Sequence, residues 1–305
     1  MKGKSLAEYH WKVNTAIDFM RINLDKNISL DELSNTAHLS KFHFHRIFHS
    51  ISGISPGDYL KQLKLERAKF QLASSNKVSI TELAYGLGFS SVSSFCKSFK
   101  KSKKKSPLDW RKDYLEKHSN IGHYDYSKDK YFRIITNRKL IDMEQNYFNC
   151  EVRELNDTHV VYLRNFSIHV HDSDGFNAMF ETLFQWAHSK GLLNFPQSKA
   201  LTVYRSMPDE NGWIQADVCL TVPQHVHGEG EIGKTVIQGG KYVVLHKEGT
   251  LDQCFEVWDY LYNQWLPASG FKPDNRGVFL NHLNNPKTHP EGLYIFEMNV
   301  SIQPI

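Results

Sequence analysis

The chain has 305 residues, 40% of them apolar, 23% charged and 13% aromatic, enough for two domains that each bury a core. That balance excludes collagen, wholesale disorder and a disulfide scaffold. The four cysteines (Cys96, Cys150, Cys219, Cys254) form no CxxC pair, the first residues lack a signal-peptide pattern, and no stretch approaches 18 apolar residues. Reduced thiols, a cytoplasmic location and no membrane segment are therefore expected. The net charge of +4 is unevenly spread: residues 1–114 hold 20 Lys and Arg against 10 Asp and Glu, and the remainder 17 against 23. A basic block joined to an acidic one fits a polyanion-binding module attached to something else.

The first 114 residues read as helices. Tyr9, Val13, Ile17 and Met20 make an amphipathic stripe over 6–23. Ser29 with Glu32 three residues later is a capping box that opens a short helix. Ser40 is placed to cap a second helix, KFHFHRIFHSI, ended by Gly53 and Ser55-Pro56. Pro56 then suits the first turn of a long helix carrying Tyr59, Leu60, Leu63, Ala68 and Leu72.

The pattern recurs. Residues 28–48 align with 78–99: Leu33 with Leu83, Leu39 with Phe89 and Ser40 with Ser90 at a spacing of 50. After one extra residue the spacing is 51, pairing Phe44 with Phe95, Arg46 with Lys97, Phe48 with Phe99 and Pro56 with Pro107. Two short-helix/turn/longer-helix units joined by one long helix make a tandem helix-turn-helix arrangement.

Residues 115–145 are polar and weakly periodic and read as a linker, with a strand expected around 132–135. From 146 to 305 the period changes. HVVYLRNF, LTVYRSMP and DVCLTVP read as strands around one helix (175–189), whose Phe176, Phe180, Leu183 and Ala187 share a face. A second set follows, with KYVVLHKEG, GVFLNHL and GLYIFEMNVSI as strands and LDQCFEVWDYLYNQWL as helix. The expected fold is thus multidomain: an all-α tandem helix-turn-helix domain, then an α+β domain of two β-α-β-β repeats. Its sheet should be antiparallel, with both helices on one side.

In a helix-turn-helix the second helix offers its first two turns to base edges. Phe44, Ile47, Phe48 and Ile51 complete a seating stripe, which leaves Lys41, Phe42, His45, Arg46 and His49 facing outward. Arg46 can take guanine O6 and N7 together, and Phe42 can press on thymine methyls. In the second unit Phe95 and Phe99 seat the helix, and Val92, Ser93, Cys96, Lys97 and Lys100 are expected to face out, suited more to phosphate than to bases. Five lysines in the six positions 100–105 add non-specific phosphate affinity.

These residues carry a resemblance. SKFHFHRIF and GFSSVSSFCKSFKKSKKKSPLDWRK resemble the DNA-binding domain of the AraC/XylS family of transcriptional regulators, with Gly88, Phe89, Ser93, Phe95, Phe99, Lys100, Pro107, Trp110 and Arg111 on its pattern. Lys104 departs from it, standing where the family usually has glycine. The resemblance implies two recognition helices in successive major grooves of double-stranded DNA, ~34 Å apart. The C-terminal half resembles the effector-binding domain of DNA gyrase inhibitor-like proteins, which follows an AraC-type module in the right-origin-binding protein group. WLPASGF (265–271), RGVFLNHLNNP (276–286) and the final strand carry that likeness. It implies a pocket between the repeats for a small aromatic or cationic molecule. Cation binders often place glutamate two residues before tyrosine in the 276–286 segment, where this chain has Leu280 and His282.

Trp186, Tyr204, Tyr242, Trp258 and Phe279 are candidates to line an apolar cleft, with His282. Glu297 alternates in phase with Leu293 and Ile295 and is expected to point inward. The HxH pairs His169/His171 and His225/His227 lack a third ligand at diagnostic spacing, and there is no GxSxG, HExxH or P-loop, so no metal, cofactor or catalytic residue is assigned. The resulting expectation is a sequence-specific regulator, an activator, that binds DNA and RNA polymerase as a monomer or weak dimer and senses a small aromatic or amphipathic effector. A hydrolase or detoxifying enzyme in the C-terminal domain is the alternative.

Overall fold

Ser29 and Ser79 each open a short helix in the same way. Each hydroxyl accepts the N–H of the glutamate three residues on, and that glutamate, Glu32 or Glu82, accepts the serine's own N–H. The computed structural model describes residues 2–74, 78–119, 148–209 and 211–305. Its N-terminal domain runs α1 (Lys2–Ile22), α2 (Leu30–Thr36), α3 (Lys41–Ser52), α4 (Pro56–Ser74), α5 (Ile80–Gly86), α6 (Val92–Lys103) and α7 (Pro107–Ser119). Helices α2–α3 and α5–α6 are the two helix-turn-helix units, and α4 joins them over ~28 Å. Helix α7 continues past residue 114, and the strand expected at 132–135 lies outside the described residues.

The duplication extends to backbone detail. Phe44 and Phe48 seat α3, Phe95 and Phe99 seat α6, and all four are fully buried. His38 (φ 50°) and Gly88 (φ 65°) are the left-handed residues in the two turns, and Gly53 (φ 77°) and Lys104 (φ 59°) close α3 and α6. Lys104 therefore adopts the left-handed geometry without glycine. The cap of α6 is Ser91 rather than Ser90, so the second unit's extra residue lies in its turn. Ser91 Oγ accepts the N–H of Ser94 at 3.1 Å, whereas the Ser40 hydroxyl makes no capping bond.

Two buried charges on α4 hold the units together. Lys64 Nζ donates to the carbonyls of Lys26 (3.0 Å) and Gly88 (3.3 Å), joining the loop between α1 and α2 to the turn of the second unit. Glu66 accepts from Lys69 at 3.0 Å and from Lys103 at 2.5 Å, tying the end of α6 to α4.

The C-terminal domain contains β1 (Cys150–Leu155), β2 (Thr158–His169), α8 (Ser173–Ser189), β3 (Ala200–Tyr204), β4 (Trp213–Thr221), β5 (Gly233–Ile237) and β6 (Gly240–Gly249). It continues through α9 (Leu251–Tyr260), a π turn, α10 (Leu266–Ser269), β7 (Phe271–His282) and β8 (Tyr294–Pro304). One eight-stranded sheet, β1-β6-β8-β7-β3-β4-β2-β5, is antiparallel throughout. Its centre is the β3–β7 seam between the repeats β2-α8-β3-β4 and β6-α9-β7-β8, and each repeat is flanked by a strand preceding the other.

Alternation divides the sheet into two buried faces. Ile214, Ala216, Val218 and Leu220 pack on α8, and Met298, Val300 and Leu245 pack on Val257 and Leu261. Tyr204 touches both clusters, so the two helices share one side. The opposite face carries Tyr162, Cys219, Tyr242 and Phe279, together with the fully buried Asp217, and it meets α1 and α4.

A Cβ at Gly88 would lie 2.8 Å from the Asp25 carbonyl and 2.9 Å from Lys64 Nζ, whereas one at Gly53 meets open space. Gly88→Ala should therefore destabilise the chain by roughly 2–3 kcal/mol and Gly53→Ala by roughly 1 kcal/mol. Urea midpoints measure both; equal losses would mean that positive φ alone, and not the close approach, sets the cost.

Candidate nucleic-acid interface and ligand pocket

On α3, Lys41, Phe42, His45 and Arg46 lie outside the seat and all four are exposed, as is His49 one turn further on. Phe42 is 80% exposed, although the seat of α3 is already complete without it. An apolar ring held in water beside an arginine is the combination that base edges and thymine methyls reward. Lys41 reaches Asp31 at 2.6 Å, and His43 turns inward onto Tyr9.

The outward face of α6 is narrower than expected. Ser93, Lys97 and Lys100 are exposed, but Val92 and Cys96 are half-buried against the core around Phe95 and Phe99. Positions 92, 95, 96 and 99 share one helical stripe, which turns these two toward the seat and removes them from the outward set. Within the lysine run, Lys103 is bound by Glu66, Lys105 pairs with Asp113, and Lys104 forms the cap.

The C-terminal domain has an aromatic pocket of about 260 Å³ on the helix side of the seam, spanning both repeats. Phe176, Phe180 and Phe184 of α8 form one wall, and Tyr204, Leu280 and Phe296 lie on the strands. His282 sits among them, with Nε2 2.8 Å from Thr202 Oγ1 and its ring edge-on to Phe180 at 5.4 Å. Burial pushes the His282 pKa from 6.5 down to about 4, so the ring is neutral at pH 7. Glu181 is at the exposed rim.

Of the seven ligand candidates from sequence, Tyr204 and His282 line this pocket. Trp258 stands behind it, edge-on to Tyr204 and stacked on Tyr262. Trp186 also lies outside the lining, beneath Lys190. Tyr242 and Phe279 face the opposite side of the sheet, in edge contact with each other. Glu297 is on that side too, bound by Arg153 at 2.6 Å and Asn281 at 3.0 Å. Burial opposes its ionisation, but these two partners hold its pKa below the usual range. Glu297 misses the pocket because the apolar residues on the pocket's side of β8 are Phe296, Met298, Val300 and Ile302, whereas Glu297 shares the opposite buried face with Asn299 and Ser301.

Sequence periodicity also missed the junction between the domains. Arg164 of β2 binds Asp217 through two parallel bonds of 2.9 Å, and its Nη2 reaches Asp18 of α1 at 2.8 Å. Tyr162 OH donates to Asp18 at 2.5 Å, and Arg205 closes on Asp217 at 2.8 and 2.7 Å. Burial alone would raise the Asp217 pKa, but Arg164 and Arg205 overcome it and hold the carboxyl far below its usual range. Beside this cluster Phe166, next to an irregularity in β2, enters the core of the first unit and meets Tyr59 edge-on. The available signal was Arg164 and Asp217 inside otherwise apolar strand runs.

A family model described as a helix-turn-helix domain matches residues 33–113, and one described as a GyrI-like small molecule binding domain matches 148–303. An uncharacterized HTH-type transcriptional regulator of Staphylococcus aureus (strain COL) is 26% identical over 196 residues, covering 63% of this chain and 25% of that protein. Another, from Haemophilus influenzae, is 33% identical over 101 residues, 33% of this chain and 34% of that protein. The chain thus spans about a quarter to a third of the length of these curated relatives. Among solved structures, an AraC-type regulator from Chromobacterium violaceum is 26% identical with a TM-score of 0.32 over 34% of this chain and 93% of that one. EcmrR, in an EcmrR–DNA complex, is 14% identical with a TM-score of 0.47 over 90% of this chain and 99% of that one.

The fold and its two faces define a class, in which an AraC-type helix-turn-helix domain precedes a small-molecule binding domain. Within that class, the chain belongs to the GyrI-like small molecule binding domain family. Among the described residues no helix is long and apolar enough to cross a membrane.

Arg46→Ala should cost roughly 1–3 kcal/mol on a specific DNA site and relax selectivity at one base pair. Removing Lys97 and Lys100 should instead weaken all sequences alike and lower the salt slope by about 0.9 per lysine. Binding titrations at several salt concentrations distinguish them, and equal losses from Arg46→Ala on every sequence would make it a phosphate contact.

His282 also predicts a pH response. Its folded pKa is depressed, so its contribution is present above 6.5 and is lost as pH falls toward 4. Across that window the wild type should lose up to about 3 kcal/mol that His282→Gln does not. Urea midpoints of both proteins at pH 7 and pH 4.5 measure the difference, and parallel losses would rule it out.

Proposed function

We propose that this chain is a transcriptional regulator, an activator, that reads two adjacent major grooves with α3 and α6 and senses a neutral aromatic or amphipathic molecule in the α8 pocket. The observation that carries the effector class is the pairing of His282 with Thr202 inside a wall of phenylalanines. A neutral imidazole and a hydroxyl offer hydrogen bonds without net charge, and Leu280 places no carboxylate there. A hydroxyl-bearing aromatic matches that lining better than a cation does.

The route from pocket to reader is one sheet thick. Thr202 and Tyr204 of β3 face the pocket, while Val203 between them pairs with Asp217 of β4, which holds Arg164 on the reader's side. A ligand that fits the pocket better in one arrangement of this seam shifts the docked reader toward that arrangement. RNA polymerase contact completes the proposed activation, and tandem units in one chain allow a monomer or weak dimer to act.

The test titrates the full chain with a neutral naphthol and with a quaternary ammonium of similar size, following intrinsic fluorescence and then DNA affinity. Saturable naphthol binding, at least about tenfold tighter than the cation, lost in Phe180→Arg and accompanied by altered DNA affinity, is the expected result. Preference for the cation, naphthol binding unaffected by Phe180→Arg, or no change in DNA affinity would contradict the reading.

A further inference from the structure

A second and larger cavity, of about 830 Å³, lies between the domains on the sheet face opposite the aromatic pocket. Arg21 and Arg67 of the reader and Arg205 and Arg276 of the sensor all line it, and the same four line an adjoining hollow of about 100 Å³. Four guanidiniums from two domains converging on one space is a costly arrangement unless each is neutralised.

Three of them have partners in place: Arg205 is held by Asp217, Arg276 Nε donates to Asp274 at 2.9 Å, and Arg67 Nη1 donates to the Asp274 carbonyl at 3.4 Å. Arg21 has no carboxylate partner among the described residues. Its Nη2 donates at 3.3 Å to the neutral side chain of Gln215, which already accepts the Tyr59 hydroxyl at 3.0 Å. Its Nε is buried without any hydrogen-bond partner among the described residues. Two carboxylates, Asp18 and Asp25, line the same cavity, but Asp18 is taken up by Arg164 and Tyr162, and the charge of Asp25 acts on Lys64. Burial lowers the Arg21 pKa, with Arg205 and Arg164 adding to the effect and Tyr59 and Asp217 opposing it; burial and the charge of Arg21, opposed by Asp274, lower Arg67 to about 10. The space therefore has excess positive charge and an unused donor.

We propose that this interdomain cavity is a second ligand site, which takes a small oxyanion bearing carboxylate or phosphate groups between Arg21 and Arg67 of the reader and Arg205 and Arg276 of the sensor. The volume falls in the range of small-molecule sites. The guanidinium fork matches carboxylate and phosphate oxygens in pairs, so the anion supplies the counter-charge that Arg21 lacks. Because its ligands come from both domains, the anion favours the docked arrangement. This site is separate from the aromatic pocket and does not depend on what fills it.

Thermal unfolding of the full chain in citrate, in pyrophosphate and in sodium chloride of equal ionic strength tests this, for wild type, Arg21→Met and Arg67→Met. Citrate or pyrophosphate should raise the wild-type Tm in a saturable way. Arg21→Met should weaken the half-saturating concentration at least about tenfold, and Arg67→Met should weaken it as well. Without anion, Arg21→Met should melt at or above wild type, because it removes a buried charge that has no carboxylate. Equal Tm gains in all three proteins would reveal a general salting effect and overturn the proposal, as would no gain beyond chloride. An anion-free Arg21→Met that melts well below wild type would also overturn it, since Arg21 would then be satisfied in the empty cavity.

Discussion

One buried arginine, Arg164, connects the two halves of this molecule. Its side chain is 2% exposed, and its donors divide between Asp217 on its own sheet and Asp18 on the first reader helix. Desolvating these groups costs several kcal/mol per ion, which only near-ideal geometry offsets. The bidentate bonds to Asp217, the shared Arg205 and the Tyr162 hydroxyl on Asp18 supply that geometry. The arrangement tolerates little displacement, because moving Asp18 away leaves a buried guanidinium short of charge. Phe166 adds an apolar contact beside the polar one, and together they set the position of α1 on the sheet.

From that fixed point the rest of the reader follows. Helix α1 packs with α2 and α3, α4 carries the Lys64 and Glu66 contacts to the second unit, and so both reading helices are referenced to β2 and β4. Strands β3 and β4 have the aromatic pocket on one side and the docking residues on the other. Any ligand-induced shift across the β3–β7 seam is therefore adjacent to Asp217 rather than remote from it. The outward residues of α3 take no part in the docking contacts described, and Phe42 and Arg46 stay exposed.

The fold was legible where it rested on local periodicity. The 50- and 51-residue spacings, the Ser29–Glu32 box and the phenylalanine seats are short-range features, and each corresponds to a helix, cap or core contact. The two β-α-β-β sets were readable because helix and strand periods differ so sharply. Lys104 shows where inference from residue type stops: its left-handed backbone is imposed by the helix end, and glycine is merely the least strained way to supply it.

The site was less legible because it depends on phase and on distant partners. Val92 and Cys96 fall on the same 92/95/96/99 stripe as the seating phenylalanines, and Glu297 lies on the second buried face of β8, with Asn299 and Ser301. Tyr242 and Phe279 are aromatic and buried, as a pocket residue should be, yet they face the reader; burial does not say which side of a two-faced sheet a residue serves. Asp18 and Arg164 are 146 residues apart, so no sequence window contains both. A double-mutant cycle on Asp18→Asn and Arg164→Gln, read by urea unfolding of the full chain, tests the docking most directly. The account predicts a coupling energy of about 1.5–3 kcal/mol, and additive losses, with coupling below about 0.5 kcal/mol, would contradict it.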